Sequence, residues 1–269
     1  MPYSSLEDFI KAADAIGEVE YVEGADLERD VGCLTELSWV SAAVPCPSSI
    51  TSRVIPQAIG FAQYHQVDAT FLSRAGFAPR HSSPGIAASL ARQAQNRRAH
   101  SRQGGQRRTD SRMPSRRRRR KSRSFPAPLW HPGDGGRYIG TADNVIVGDP
   151  DQGWINVGVY RGMVQSRNRM SLWINPMKHG RILVERHWSK GQAAPVAVVL
   201  GCEPVTWMSG SMSPPLGTSE YDMAGSFRGA PVEIVSLPLT GLPVPAGADL
   251  VVEGFIPPIT EETARGSVR

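Results

Sequence analysis

The segment Trp154-Ile-Asn-Val-Gly-Val-Tyr-Arg-Gly-Met-Val164 is an apolar run interrupted by single polar residues and by glycine. Apolar or alternating runs bounded by Gly, Pro and Asp are typical of β-strands. Further runs of this kind lie on both sides of it. We predict strands over Tyr138–Val147, Trp154–Tyr160, Met170–Ile174, Pro195–Gly201, Val232–Leu237 and Leu250–Ile256.

Capping signals predict two helices between these strands. Asn175-Pro176 starts one helix that ends at Gly191, and Thr218 or Ser219 caps the next. Several strands with two inserted helices indicate an α+β fold built on a mostly antiparallel sheet or open barrel.

The beginning of the chain has its own pattern. Ser4 or Ser5 caps a helix that Gly17 ends, and Glu18–Val22 alternates as a short strand does. Asp26–Leu37 carries apolar residues on one helical stripe, so a second helix is predicted there.

Composition excludes several classes of protein. No apolar run approaches the roughly 18 residues that a membrane helix needs, and the first residues lack the pattern of a signal peptide. The three cysteines, Cys33, Cys46 and Cys202, form no CxxC pair, so neither a disulfide framework nor a structural zinc site is indicated. We expect a soluble protein of the cytoplasm with no membrane partner.

The net charge of +5 conceals a strongly uneven distribution. Residues 74–123 hold sixteen Lys or Arg and one acid, Asp110, whereas the rest of the chain has fourteen basic and twenty-four acidic residues. Residues 91–124 contain almost no apolar side chains and cannot build a core. Arginines would suit phosphate binding, which leaves nucleic acid or another polyanion as a partner. A disordered basic linker and a stretch translated out of frame remain the alternatives.

Three residues of the strand-rich half supply ligands for a hard metal ion. Asn156 lies on a predicted strand, while His179 and Glu220 each lie in the first turn of a predicted helix. An amide oxygen, an imidazole nitrogen and a carboxylate together suit Mn²⁺ or Mg²⁺ beside a phosphate. Each residue also has an ordinary interpretation, as a strand-edge hydrogen bonder, a surface histidine or an acid favoured by the helix dipole.

Two further features could serve a ligand. Arg161 ends an apolar strand, where a guanidinium facing a cleft would need an anionic partner, although strict alternation places it on the opposite face from Asn156. Ser209, Gly210 and Ser211 would let backbone groups approach an ion closely, but an ordinary loop has the same composition. We read the segment from Trp207 to Glu220 as a loop.

These segments together resemble the central domain of the UbiD family of reversible decarboxylases, which use prenylated FMN. The matching pieces lie between Pro128 and Pro258 and cover about half of the chain. They are Leu129-Trp-His-Pro-Gly-Asp-Gly-Gly-Arg-Tyr-Ile, Asn156-Val-Gly-Val-Tyr-Arg, Met177-Lys-His, Pro195-Val-Ala-Val-Val-Leu-Gly-Cys-Glu-Pro, Gly217-Thr-Ser-Glu-Tyr-Asp and Val252-Glu-Gly. Residues 5–38 also look like the N-terminal segment of the family.

The resemblance implies a flavin-binding split β-barrel and a set of site residues. Asn156, His179 and Glu220 would hold Mn²⁺ or Mg²⁺ against the cofactor phosphate, and the loop of Gly210–Met212 with Glu220 would bind K⁺. Arg161 would be catalytic and lie beside the substrate carboxylate. The full set of implied cofactor-binding residues is Asn156, Val159, Tyr160, Arg161, Lys178, His179, Ser211, Met212 and Glu220.

The implied activity is non-oxidative decarboxylation of an aromatic, heteroaromatic or α,β-unsaturated acid. A flavin prenyltransferase would supply the cofactor, and the full-length family implies a possible homo-oligomer. The Glu-Gly-Pro-Phe-Gly-Glu motif, which holds the proton donor of the family, is not matched after Glu253, where Glu261 and Glu262 stand instead. We therefore expect impaired turnover in a truncated or frameshifted member.

The predicted domain organisation has three parts. Residues 1–38 form a partial N-terminal α/β segment, residues 39–124 are of low complexity and predicted to be disordered, and residues 125–269 form the flavin-binding domain.

Overall fold

The computed structural model describes residues 3–17, 19, 21, 22, 25–40 and 127–259, with side chains omitted for residues 37–40. Its helices are α1 (Leu6–Asp14), α2 (Asp30–Val40), α3 (His179–Ser189), α4 (Pro204–Ser211) and α5 (Glu220–Arg228). Its strands are β1 (Tyr138–Gly148), β2 (Ile155–Ser166), β3 (Arg169–Trp173), β4 (Ala194–Leu200), β5 (Ile234–Ser236), β6 (Pro243–Pro245) and β7 (Leu250–Ile256).

A curled five-stranded sheet, a half-barrel, organises the part of the chain that follows residue 127. The strand order is β3-β2-β1-β4-β7, and every neighbouring pair is antiparallel. β1 lies at the centre and is buried along most of its length, which includes the polar Asp143 and Asn144 as well as the apolar Val145–Val147. Strands β5 and β6 form a separate hairpin-like pair.

Helices cover both faces of this sheet. On one face Ile146, Val157 and Val199 pack with side chains of α4 and α5, among them Trp207 and Ala224. On the other face the core joins side chains of β1, β2 and β4 to two residues of α3: Val145, Val147, Tyr160, Val198, Leu183 and Val184. The sheet is therefore the middle layer of an α+β arrangement, as the sequence predicts.

The N-terminal segment packs against the beginning of the strand-rich half. Leu6 of α1 is buried in the core that α4 and α5 share, and Leu129 N donates to Leu27 O at 3.0 Å. Gly32 of α2 lies so close to the Trp130 carbonyl that any side chain at this position would overlap it. Arg137 adds an ion pair with Glu28.

Most predicted elements are confirmed with small shifts of their ends. The Ser5 side chain caps α1 by accepting from Asp8 N at 3.1 Å, and Ser219 caps α5. The predicted helix after Asn175-Pro176 begins at His179, because Lys178 is its extended N-cap. Helix α2 begins at Asp30 rather than Asp26, because Asp26 caps a turn through Glu28 N and Arg29 N.

The interpretation of Trp207–Glu220 as a loop is wrong over its first part. Residues 204–211 form α4, whose N-cap Glu203 accepts hydrogen bonds from Val205 N at 2.8 Å and Thr206 N at 3.0 Å. Pro204 at the first helical position fits this start. Strand β2 is also longer than predicted, because Gly162 continues the ladder instead of ending it.

Other predictions fall outside the described residues. These include the arginine-rich stretch within residues 41–126, so its binding to a polyanion stays a prediction, as does the division into three domains. Of the strand predicted over Glu18–Val22, only residues 19, 21 and 22 are described. No helix in the described parts of the chain has the length and apolar character to span a bilayer.

One carboxyl group of the sheet is buried without a compensating hydrogen bond from the described residues. Asp143 is fully buried at an irregularity of β1, and neither of its oxygens has a hydrogen-bond partner among the described residues. Its carboxyl lies near Gly162, in a position that Ile139 and Met170 also border. Burial raises the pKa of Asp143 from 3.8 to about 8, because the charged form cannot be solvated there.

We expect Asp143→Asn to raise the melting temperature at pH 8 by several degrees and to have little effect near pH 4. Between pH 3.8 and about 8 the unfolded chain releases this proton while the folded chain keeps it, so stability falls as the pH rises. Thermal unfolding from pH 4 to pH 8 measures the change. Exposed Asp14→Asn is the control, and equal shifts for both variants at every pH would contradict the expectation.

Candidate functional site

The candidate site lies beside the first half of β2. Strand β3 pairs with β2 only from Arg161 onward, whereas β1 pairs with β2 from Ile155. The N-terminal ends of α3 and α5 and the C-terminal end of α4 all approach β2 before Arg161. Residues from three separate helices therefore meet one short strand segment.

Glu220 is the residue that ties α5 to β2. Its Oε1 accepts a hydrogen bond from Asn156 Nδ2 at 2.8 Å, and its Oε2 accepts one from Val157 N at 2.7 Å. Glu220 is 2% exposed and Asn156 is equally buried. Burial raises the pKa of Glu220 to about 7, while hydrogen bonds from Val157 N, its own N–H and Asn156 oppose the rise.

Asn156 Oδ1, the remaining polar atom of that amide, is buried without a hydrogen-bond partner among the described residues. An unpaired buried carbonyl oxygen costs about 1–3 kcal/mol, so it marks a place where a ligand could bind. The start of α3 lies next to it, since a Cβ at Gly180 would come within 3.1 Å of Asn156 Oδ1.

His179 is the first residue of α3 and directly precedes Gly180. Its ring lies 6.0 Å from the Trp154 ring in an edge-to-face arrangement. Partial burial, and then the nearby Lys178 charge, lower the pKa of His179, which favours the neutral imidazole. The described residues hold no cluster of three His, Cys, Asp or Glu side chains; this candidate set contains two of them and an amide.

The C-terminal end of α4 approaches β2 on the face of the sheet that α4 and α5 cover. A Cβ at Gly210 would lie 3.3 Å from Val157 O and would overlap Asn144 Nδ2. The Asn144 side chain is held in turn by Cys202 Sγ, which donates to its Oδ1 at 2.8 Å. Val157 is thus contacted through its N–H by Glu220, while its carbonyl faces the Gly210 backbone.

The remaining predicted site residues lie around this segment in varied environments. Val159 is partly buried and Tyr160 is buried, whereas Lys178 and Ser211 are exposed and Met212 is intermediate. Arg161 is exposed. Regular pairing from Ile155 to Tyr160 keeps it on the opposite face from Asn156.

Sequence reasoning missed three residues of this neighbourhood: Asn144, Gly158 and Gly180. All three are buried, and each contacts a residue of β2 or α4 rather than solvent. The signal for Gly158 was its place in the alternating series Asn156-x-Gly158-x-Tyr160, which puts all three on one face of the strand. Asn144 gave no local signal, because its partners are distant in sequence.

Comparison with known proteins identifies the family. A profile of the UbiD 3-octaprenyl-4-hydroxybenzoate carboxy-lyase Rift-related domain matches residues 111–267, which is more than half of the chain. The chain belongs to the UbiD family. The resemblance drawn from the sequence is thereby confirmed.

Curated relatives in the UbiD family share about half of this chain. Pyrrole-2-carboxylic acid decarboxylase of Pseudomonas aeruginosa is 39% identical over 132 residues, which cover 49% of this chain and 27% of that enzyme. Ferulic acid decarboxylase 1 of Saccharomyces cerevisiae is 33% identical over 135 residues, which cover 49% of this chain and 27% of that enzyme. The matched segment thus spans about a quarter of these relatives.

Solved structures of UbiD-class enzymes share the fold. An evolved dimeric form of HmfF from Pelotomaculum thermopropionicum, in complex with prFMN, superimposes with a TM-score of 0.73 at 23% identity. The match covers 95% of this chain and 58% of HmfF. Vanillic acid decarboxylase of Sedimentibacter hydroxybenzoicus, in its closed form, gives 0.68 at 20% identity and covers 96% of this chain and 56% of that one.

We expect Gly210→Ala to lower the melting temperature by several degrees, because its Cβ would overlap Asn144 Nδ2 and press on Val157 O. Alanine otherwise stabilises a helix interior by about 1 kcal/mol relative to glycine. Gly225→Ala in α5 is the matched control, since its Cβ would meet nothing closer than 3.4 Å. Thermal unfolding compares the two variants, and a Gly210→Ala chain as stable as Gly225→Ala would show that the contact is not tight.

Proposed function

We propose that the chain holds a divalent metal ion through Asn156, His179 and Glu220, and that this ion binds the phosphate of prenylated FMN. The whole protein would be a decarboxylase of an aromatic acid. The observation that carries the proposal is Asn156 Oδ1, which is buried beside the Glu220 carboxylate and has no hydrogen-bond partner in the part of the chain that the structure describes.

The side chains fit such an ion. An amide oxygen, a neutral imidazole and a carboxylate are ligands that Mn²⁺ and Mg²⁺ accept. Burial raises the pKa of Glu220 because it removes the charged carboxylate from water. A bound divalent cation would compensate that charge and would give Asn156 Oδ1 a partner.

The residues that would hold the flavin lie around the same strand segment. Lys178 carries an exposed positive charge at the start of α3, and Ser211 and Met212 follow the close approach of Gly210 to β2. The backbone of Val159 and Tyr160 completes the proposed lining. K⁺ would bind near Gly210–Met212 and Glu220. When bound, prenylated FMN supplies the reactive centre that makes loss of carbon dioxide from an unsaturated acid feasible.

Arg161 and Trp173 support an aromatic acid as the substrate. They are direct partners in the β2–β3 pairing and therefore share one face of the sheet. Arg161 is exposed, and Trp173 is 72% exposed. A guanidinium binds a carboxylate, and an indole stacks on a flat ring, so the pair matches both parts of an aromatic carboxylic acid.

The names of relatives agree with this substrate class, since they are decarboxylases of pyrrole-2-carboxylic, phenolic and ferulic acids. Loss of carbon dioxide also requires a proton for the product carbon. Arg161 would orient the carboxylate, and no described residue of the site is assigned as this donor. We therefore assign metal and flavin binding to this chain, and turnover to the whole protein.

Partners and location follow from the same proposal. A flavin prenyltransferase would supply the cofactor, a homo-oligomer would be the working form, and the compartment would be the cytoplasm. HmfF, whose fold this chain shares, was solved in an evolved dimeric form.

We expect Asn156→Ala to weaken Mn²⁺ binding at least tenfold, because it removes the unpartnered oxygen and the amide that holds Glu220. Titration followed by electron paramagnetic resonance, with and without FMN, measures the affinity. Asn168→Ala, which removes an exposed asparagine of the β2–β3 turn, should bind as the unchanged chain does. Absence of Mn²⁺ binding by the unchanged chain, or equal binding by Asn156→Ala, would refute the proposed metal site.

We expect Trp173→Ala in the flavin-loaded protein to weaken binding of pyrrole-2-carboxylate about tenfold, which is the loss of one stacking contact. Trp173→Phe should retain most of the affinity because it keeps an aromatic face. Equilibrium dialysis at fixed pH measures the affinity of each protein for pyrrole-2-carboxylate. Acetate, which has no ring to stack, is the control ligand. If all three proteins bind pyrrole-2-carboxylate equally, Trp173 does not contact the substrate ring.

A further inference from the structure

The Tyr160 side chain lies back along its own strand. A Cβ at Gly158 would come within 2.5 Å of Tyr160 Cε2 and within 2.6 Å of Cζ and Oη. The ring therefore covers Gly158 and extends toward Asn156, and only glycine leaves space for it. The glycine in the series Asn156-x-Gly158-x-Tyr160 is therefore explained by the space that the Tyr160 ring needs, and not by strand propensity.

The ring brings its hydroxyl to the beginning of α3. Tyr160 Oη lies against the Gly180 backbone there. A Cβ at Gly180 would lie 2.9 Å from this Oη and 3.1 Å from Asn156 Oδ1. Gly180 is buried between the hydroxyl and the unpartnered amide oxygen.

This contact lies where α3 has no side-chain cap. The N-cap of α3 is Lys178, whose side chain makes no capping hydrogen bond. The packing of Tyr160 Oη against Gly180 therefore joins β2 to the start of α3 by direct contact.

We propose that Tyr160 is a positioning residue of the metal site, whose hydroxyl packs against Gly180 and thereby sets His179 against Asn156. The inference rests on the proposed function, because Asn156 and His179 are two of its three ligands. A phenylalanine would retain the ring over Gly158 but would leave a gap where the hydroxyl contacts Gly180.

The first test compares two tyrosines whose hydroxyls each contact a neighbouring backbone segment. Tyr160→Phe should raise the Mn²⁺ dissociation constant about tenfold, which is the usual effect of removing a group that orients a ligand. Tyr221→Phe is the control, because Tyr221 Oη donates to Pro243 O at 2.9 Å, on β6. Both changes should lower the melting temperature slightly, but only Tyr160→Phe should weaken Mn²⁺ binding.

The second test uses the close packing at Gly180. Gly180→Ala should weaken Mn²⁺ binding because its Cβ would press on both Tyr160 Oη and Asn156 Oδ1. In a Tyr160→Phe chain, Gly180→Ala should weaken Mn²⁺ binding less, because the hydroxyl that the new Cβ would meet is absent. Non-additivity of the two changes in a double-mutant cycle measures the contact.

The outcomes separate this inference from the proposed function. If the unchanged chain fails to bind Mn²⁺, the proposed function fails and this inference fails with it. If the unchanged chain binds, Asn156→Ala does not, and Tyr160→Phe binds normally, the metal site stands and the role of Tyr160 is refuted. If Tyr160→Phe does not fold, the double-mutant cycle cannot be measured. Normal Mn²⁺ binding by Gly180→Ala alone would then refute the positioning role of Tyr160.

Discussion

The Glu220 carboxylate is the constraint on which the site depends. It is buried, it begins α5, and it accepts from both the side chain of Asn156 and the backbone of Val157. A buried acid with two such partners fixes the distance and the angle between a helix and a strand at once. The strand segment from Asn156 to Tyr160, which pairs with β1 on one side, can then lie at the meeting point of three helix ends on the side where β3 does not reach it.

Small residues make this arrangement possible at three places around β2. Gly158 admits the Tyr160 ring, Gly180 admits the hydroxyl and the amide oxygen, and Gly210 admits Asn144 and the Val157 carbonyl. None of these glycines has a positive φ. Their role is to permit close approach of other groups, not to permit an unusual backbone conformation.

Sequence patterns predicted the elements well and their assembly poorly. β7 has the predicted ends, and Ser219 begins α5 as expected, because alternation and capping are local signals. Helix α4 was read as a loop because the Ser and Gly residues near its end outweighed the start signal of Glu203-Pro204. The residue types of Asn156, His179 and Glu220 suggest a shared metal site, which the family resemblance also implies, but no local rule predicts the hydrogen bond between Asn156 and Glu220. Alternation places Tyr160 and Gly158 on one face of the strand but does not predict that the tyrosine ring lies over the glycine.

The same separation has a consequence for how the protein reaches its native state. Asn156 and Glu220 are 64 residues apart, and β3, α3, β4 and α4 lie between them. Contacts of long range form after local ones, because closing a long loop costs entropy before any contact repays it. The β1–β2 hairpin can form early, but the amide and the carboxylate meet only after the intervening chain is placed. A cation that needs both groups would have little affinity for partly folded chains, so its binding would select the completed fold.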